Sequence, residues 1–302
     1  MANIIAVIWD CDKTLIDGYM QDPIFAEYGV DPKQFWSEVN ALPKFYKETQ
    51  GVKVNRDTIY LNHFIRYARE GKFQGLNNAK LRAFGGKQKF YRGIPEILRA
   101  TKKLLDDPAY TEYGIQVEHY IVSTGFAEVI RGSALMDYVE EVWGCELIEG
   151  PDGAGGTVIS EVAYTIDNTT KTRAIFEINK GIPKLQDIDV NTRIEEKNRR
   201  VQLKNMIYIA DGPSDIPAFS VVRQGGGATF AIYPRGDMAA LQQVERMRAD
   251  GRVDMFAEAD YSEDSTARMW IENKIQQIAD RIRKEEREAV TGNLSEGPKH
   301  LS

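Results

Sequence analysis

Two aspartates, Asp10 and Asp12, stand two positions apart directly behind an apolar run over residues 4–9. A second acidic pair, Asp211 and Asp215, follows the apolar residues 206–210. Between these pairs lie Ser123 and Thr124, which follow the apolar stretch 117–122, and Lys171, near the start of a helical pattern over 169–179. Carboxylates held close together repel and raise each other's pKa unless a cation intervenes. A hard divalent cation with oxygen ligands relieves that repulsion, and Mg²⁺ commonly takes a few carboxylates together with waters and substrate phosphate oxygens. With such a cation present, one carboxylate can attack phosphorus and form an aspartyl-phosphate. Its partner can protonate the leaving oxygen and then deprotonate the attacking water. The equatorial phosphoryl oxygens also need holding. Ser123 with the amides around it could do this, and Lys171 could add a point charge.

These residues need elements to position them. The runs 4–9, 117–122 and 206–210 are continuous and β-rich, the pattern of strands buried on both faces of a parallel sheet. Helical patterns at 94–105, 169–179, after Asp215 up to Val222, and at 264–287 alternate with them, and a short strand is expected at 228–232. Such alternation implies an α/β fold, a doubly wound parallel sheet with right-handed crossovers. Ligands bind beyond the carboxyl ends of strands in these sheets, and all three polar clusters lie there. Residues 19–86 interrupt the alternation. They are rich in aromatics and charges, with Asp31-Pro32 as a helix start, Asn55 as a cap and no convincing strand. Short β-like pieces surround the glycine-rich turn at 150–156, and the charged stretch 184–204 reads as a surface excursion. The expected organisation is a core of residues 1–18 and 87–302, a helical insert over 19–86 and a disordered tail over 288–302.

Taken together the motifs are specific. Asp10-Cys11-Asp12-Lys13-Thr14 behind its strand resembles the first motif of the haloacid dehalogenase superfamily. Ile121-Val122-Ser123-Thr124-Gly125 resembles the second, Lys171 the third, and Asp211-Gly212-Pro213-Ser214-Asp215 the fourth, all in the family's order. The resemblance implies a Rossmann-like core and an inserted helical cap that closes over substrate. It implies Asp10 as nucleophile and Mg²⁺ ligand, and Asp12 as general acid/base with its backbone carbonyl on the metal. Ser123, Thr124 and Lys171 would bind phosphate, Asp211 would be a further metal ligand, and Asp215 would support the metal site or pair with Lys171. Asp12 favours phosphate esters, because the dehalogenase and phosphonate-cleaving branches lack this second aspartate. The stretch beyond Ser123 is most similar to the phosphoserine phosphatase group. That group usually has Ser-Gly-Gly where this chain has Ser123-Thr124-Gly125, and a glutamate where this chain has Tyr19. Both departures argue against phosphoserine as the substrate. The expected function is Mg²⁺-dependent hydrolysis of a small-molecule phosphomonoester. The alternatives are a phosphotransferase or mutase using the same intermediate, or a catalytically silent regulator that binds a metal or phosphate ligand.

Composition narrows the classes further. The 302 residues are 42% hydrophobic and 28% charged, ordinary for a globular protein. A net charge of −6 without a basic stripe argues against nucleic acid as a partner. Residues 4–9 are too short for a signal peptide or membrane span, so the expected location is the cytoplasm and no membrane partner is expected. Two cysteines, Cys11 and Cys145, make no disulfide framework. Cys11 should point into the core. Lys180 and Lys184 rival Lys171, while His63, His119 and His300 fall outside the motifs. The aromatics Phe35, Trp36, Phe45, Tyr46, Tyr60 and Phe64 should pack the insert, whose cations Lys44, Lys47, Arg56, Arg66 and Arg69 could meet a second anionic group.

Overall fold

The computed structural model describes residues 3–185 and 188–295. In chain order the elements are β1 (Asn3–Trp9), α1 (Asp22–Tyr28), α2 (Pro32–Gln50), α3 (Ile59–Arg69), α4 (Asn78–Gly85), α5 (Glu96–Lys103), α6 (Pro108–Thr111), β2 (Ile115–Phe126), α7 (Ala127–Arg131), β3 (Val139–Pro151), β4 (Thr157–Tyr164), α8 (Lys171–Lys180), β5 (Met206–Ala210), α9 (Ile216–Gln224), β6 (Ala228–Tyr233), α10 (Met238–Ala249), β7 (Met255–Glu258) and α11 (Thr266–Ser295). The strands form one seven-stranded sheet in the order β4-β3-β2-β1-β5-β6-β7, flanked by helices on both sides. All neighbours are parallel except β3 and β4, which pair antiparallel. β1 lies centrally, and every residue from Ile4 to Trp9 is buried, as a strand covered on both faces requires. This is the doubly wound α/β architecture expected, with an antiparallel hairpin added at one edge.

Register fixes the functional edge of the sheet. Trp9 pairs with Ile121 on β2 and with Ile209 on β5. The residues that follow, Asp10, Val122-Ser123 and Ala210-Asp211, therefore leave three adjacent strands at the same level. β2 runs four residues past the expected end at Val122, so Ser123 and Thr124 lie within the strand. α11 covers the core through Ile271, Ile275, Ile278 and Ile282, spaced as one helical stripe. Its Trp270 stacks on Phe230 at 4.5 Å. α11 is also longer than expected. It continues through residues 288–295, and the rest of the expected tail, with His300, lies outside the described residues.

Between β1 and α5 the described elements are α1 to α4, all helical. They gather around an aromatic cluster in which Phe64 stacks on Phe73 at 4.9 Å and Phe35 meets Phe25 at 4.9 Å. Phe35, Tyr60 and Phe64 are buried and Trp36 and Tyr46 partly so, whereas Phe45 is 51% exposed and stands outside this core. α4 seats against α7 through a close backbone approach. A Cβ on Gly132 would lie 1.7 Å from the Arg82 carbonyl oxygen, which leaves room there for glycine alone. Hairpin β3–β4 is longer and more regular than the pieces expected around residues 150–156. β7 and α10 have no counterpart in the sequence reading. β7 is a four-residue edge strand, three of whose residues are only half-buried, so it carries little pattern. The described residues of the stretch 184–204 lie mostly at the surface, as expected, and two arginines tie them to the core. Arg200 forms a bidentate pair with the buried Glu118 at 2.6 Å for each nitrogen, and Arg199 donates to the Asn179 side chain at 3.0 Å. Among the described residues no helix is long and apolar enough to cross a membrane.

Candidate active site

At the carboxyl edge of β1 the Asp10 amide still bonds the Ile209 carbonyl at 2.9 Å, which anchors the residue before the chain turns away. The turn is tight. Leu15 N–H donates to the Cys11 carbonyl at 2.9 Å, Lys13 N–H to the Gly18 carbonyl at 3.0 Å, and Lys13 takes a φ of 55°, which is strained for a residue with a Cβ. This fold of the loop turns the Asp12 carboxylate so that its Oδ1 accepts the Met20 N–H at 2.9 Å. Cys11, between the two aspartates, is fully buried, as expected, and burial pushes its thiol pKa well up.

Lys171 opens α8, which carries its ammonium into the centre of the site. Its Nζ donates to Asp10 Oδ1 at 2.7 Å and to Asp215 Oδ1 at 2.6 Å. The side chain is 1% exposed and Asp215 is fully buried, so these are charge-assisted bonds screened from water. Burial works against the ammonium, but Asp10 and Asp215 outweigh it and raise its pKa. Asp215 is held on every side: the Tyr208 hydroxyl donates to Oδ1 at 2.6 Å and Ser214 to Oδ2 at 2.8 Å. Asp10 Oδ2 accepts from Thr14 Oγ1 at 3.3 Å. The rival lysines lie elsewhere. Lys180 donates to the Val190 and Thr192 carbonyls, and Lys184 pairs with Glu140.

Asp10, Asp211 and Asp215 each offer a carboxylate oxygen within 4.8 Å of the others. Among the described residues Asp211 accepts no hydrogen bond, so its lone pairs are uncommitted. Asp10 and Asp211 have raised pKa values, chiefly through burial; Lys171 opposes this at Asp10, Asp215 adds to the rise at both, and Asp10 adds to that of Asp211. Asp12 is pushed up to about 8, first by burial and then by the charge of Asp10. Three carboxylates, Asp10, Asp211 and Asp215, crowd around the one buried ammonium of Lys171. Hard oxygen donors, close spacing and uncompensated negative charge are the features that suit a divalent cation. The set contains the expected Asp10 and Asp211 together with Asp215, whose oxygens are engaged by Lys171, Tyr208 and Ser214; the ligand expected from Asp12 is its backbone carbonyl.

Ser123 and Thr124 occupy the adjacent strand β2. Ser123 is buried, and its Oγ accepts the Gly125 N–H at 3.0 Å. Thr124 is held through its carbonyl, which accepts from the Tyr60 hydroxyl at 2.7 Å and from Cys145 Sγ at 3.3 Å. Neither side chain bonds the carboxylate cluster among the described residues. The sequence reading did not single out Tyr208 or Met20, and it placed Tyr60 only as packing. A tyrosine inside the apolar strand β5 was a signal for the first, since a buried hydroxyl needs a partner. The link from Tyr60 on α3 to β2 depends on tertiary packing and has no sequence signature. His63 and His119 are both buried. His119 accepts from the Trp9 indole at 3.1 Å and lies 2.9 Å from Thr101 Oγ1, while burial lowers its pKa to about 3. His63 is buried in the insert, with Nδ1 2.7 Å from Arg66 and Nε2 2.9 Å from Glu38.

No protein-family model matches the chain. A curated protein of Borreliella burgdorferi, described as uncharacterized, is 38% identical over 290 residues, which is 90% of this chain and 97% of that protein. The two are members of one family. A HAD family hydrolase from Salmonella enterica serovar Typhi superposes with a TM-score of 0.52 at 14% identity, covering 85% of this chain and 67% of that one. The chain has the haloacid dehalogenase fold. A phosphoserine phosphatase in apo form is similar at TM-score 0.49 and 14% identity, over 85% of this chain and 93% of that one.

Proposed function

We propose that the chain is a Mg²⁺-dependent phosphomonoester hydrolase acting through an aspartyl-phosphate on Asp10. The observation that carries this reading is the convergence of Asp10, Asp211, Asp215 and Lys171, which reach one point from three separate segments of the chain. Asp10, Asp211 and the backbone carbonyl of Asp12 would hold the ion, and Asp215 would anchor Lys171 beside it. A bound Mg²⁺ would supply positive charge against the phosphoryl oxygens and would keep the carboxylates that hold it, Asp10 and Asp211, ionised.

The chain's own residues then divide the work. Lys171 holds the Asp10 carboxylate in one orientation and presents positive charge to the incoming phosphate. Asp10 attacks phosphorus, and the P–O bond to the leaving group breaks. Asp12, protonated near neutral pH by its raised pKa, gives that proton to the departing oxygen. The resulting carboxylate takes a proton from water as the water attacks phosphorus, which releases inorganic phosphate and regenerates Asp10. The Met20 N–H fixes Asp12 for both transfers. Ser123, buried on β2, would receive a phosphoryl oxygen beside the amides of residues 124 and 125. The helices between β1 and α5 would act as the cap, with Tyr60 tying α3 to Thr124 on β2.

The reading is tested by phosphate release from p-nitrophenyl phosphate and a panel of metabolite phosphates, in Mg²⁺ and in EDTA. Turnover in Mg²⁺ that stops in EDTA is the expected result. Absence of turnover on every substrate, with the protein folded and Mg²⁺ bound, would overturn it.

A further inference from the structure

Tyr261 lies in the loop between β7 and α11, fully buried. Its contacts straddle Asp10. On one side its ring meets Trp9, the residue before Asp10, edge to face at 5.7 Å. On the other its hydroxyl donates to the Thr14 carbonyl at 2.7 Å, and Thr14 Oγ1 in turn donates to Asp10 Oδ2 at 3.3 Å. Tyr261 therefore touches both ends of the segment that carries Asp10. Its own backbone is fixed. Its N–H donates to the Arg92 carbonyl at 2.7 Å, and a Cβ on Gly93 would lie 2.2 Å from the Tyr261 carbonyl. Gly93 also has a φ of 85°, so both the conformation and the close approach call for glycine there. The same loop grips the chain just past Thr14, where the Tyr91 N–H donates to the Leu15 carbonyl at 3.0 Å.

The two Asp10 oxygens are held unequally. Oδ1 accepts from Lys171 at 2.7 Å, whereas Oδ2 has the Thr14 hydroxyl at 3.3 Å. One bond leaves a carboxylate free to turn about it, and the second contact sets its plane. Thr14 can supply that contact only if its own backbone stays in place. Its amide makes a long bond, 3.3 Å to the Cys11 carbonyl, so the 2.7 Å bond from Tyr261 is the tighter hold. We propose that Tyr261 is a positioning residue: through the Thr14 carbonyl it fixes the Thr14 hydroxyl on Asp10 and so sets the plane of the attacking carboxylate. Attack requires aligned reacting atoms, and a displacement of about 1 Å can cost roughly a hundredfold in rate. The connection between β7 and α11, remote in sequence from the four motifs, is thereby part of the site. The role rests on the hydrolase reading for the attack by Asp10; the grip on the segment around Asp10 does not.

Tyr261→Phe removes the hydroxyl and keeps the ring against Trp9. With p-nitrophenyl phosphate in Mg²⁺ it should lower kcat roughly ten- to a hundredfold and leave KM within about twofold of wild type. Tyr110→Phe is the control: it deletes a comparable bond, 2.9 Å from α6 to Asp280 on α11, and should leave kcat as it was. Thr14→Val should lower kcat as Tyr261→Phe does, and the double substitution should fall short of the product of the two losses, because both act through one chain of contacts. A kcat kept in Tyr261→Phe, or losses that multiply in the double substitution, would overturn the role. Amide hydrogen exchange without substrate gives a second readout. The Leu15 and Ile16 amides, which bond the Cys11 carbonyl at 2.9 and 3.0 Å, should exchange about fivefold or more faster in Tyr261→Phe, while those of β6 hold their rates. Exchange that is unchanged there, or faster by the same factor throughout the core, would overturn the proposal whatever the turnover. Local acceleration in a protein whose wild type turns nothing over sinks the hydrolase reading alone and upholds the grip of Tyr261 on the Asp10 segment. Wild-type turnover that Tyr261→Phe retains in full sinks the positioning role alone.

Discussion

Replacing Lys171 with methionine removes the one ammonium that bridges Asp10 and Asp215 while keeping most of the side-chain volume. The bridge consists of two bonds of 2.7 and 2.6 Å to carboxylates buried almost completely with it. Breaking a buried pair by deleting one partner leaves uncompensated charge, at a cost of about 3–5 kcal/mol. That is a large share of the stability of a typical domain, about 5–15 kcal/mol. The variant can recover part of the loss by protonating its carboxylates. Their folded-state pKa then rises above the unfolded value, so the folded state binds more protons and stability falls as pH rises. The deficit relative to wild type should therefore be larger at pH 8 than at pH 5. Urea unfolding of both proteins in EDTA, at both pH values and with the slope checked for constancy, reads this directly. A variant that unfolds at the wild-type midpoint at pH 8 would refute the assignment of Lys171 as the charge that holds the site together. A deficit that grows toward low pH would refute the sign.

Other expectations follow from single contacts. His119 is buried neutral with a pKa lowered from 6.5 to about 3. The unfolded chain therefore takes up a proton that the folded one refuses, and stability is lost as pH falls from 6.5 toward 3, at no more than about 1.4 kcal/mol per pH unit. Replacement by glutamine should flatten that slope between pH 7 and pH 5 in urea titrations, and an unchanged slope would count against it. Asp12→Asn should lower kcat by about 10²- to 10⁴-fold, the usual share of an acid/base group. In EDTA at pH 8 it should also raise the melting temperature, because a carboxyl whose pKa rises from 3.8 to about 8 on folding destabilises the fold progressively as pH climbs between those values, and nearly all of that penalty is present at pH 8. Lowered activity with a lowered melting temperature would mean that Asp12 is a structural anchor instead. Gly132→Ala forces a methyl against the Arg82 carbonyl, 1.7 Å from the new Cβ, and should cost about 1–3 kcal/mol. Amide hydrogen exchange should localise the loosening to α4 and α7, and uniform protection would contradict this.

The parts of the fold visible in the sequence were those with the strongest periodic or apolar signals. β1, β5 and the start of β2 are uninterrupted buried runs, and the polar residues at their ends mark the carboxyl edge of the sheet. Motif order set Lys171 apart from Lys180 and Lys184, and of the three it is Lys171 that bonds Asp10 and Asp215. Features that depend on tertiary placement were not visible. Edge strand β7 is short and half-buried, and β4 alternates over an edge where packing decides the pattern. The stretch 184–204 looked unpatterned because its anchors are individual ion pairs, Arg200 to Glu118 above all, which carry no period. The sequence offered five insert cations together, and their surroundings differ in ways it did not show: Lys44 and Arg66 face carboxylates, Arg69 donates to the Ser160 carbonyl, and Lys47 and Arg56 are exposed. Phe45 shows the converse, an aromatic whose helical position faces solvent.

The central claim is that Asp10 carries the phosphoryl group. Acid quenching of the protein during steady-state turnover in Mg²⁺, followed by peptide mapping in a mass spectrometer, tests it most directly. A phosphoryl increment on the peptide containing Asp10, removed by hydroxylamine and missing from Asp10→Asn, is the result predicted. Sustained turnover with no phosphoryl group on that peptide, or turnover that persists in Asp10→Asn, would contradict the account.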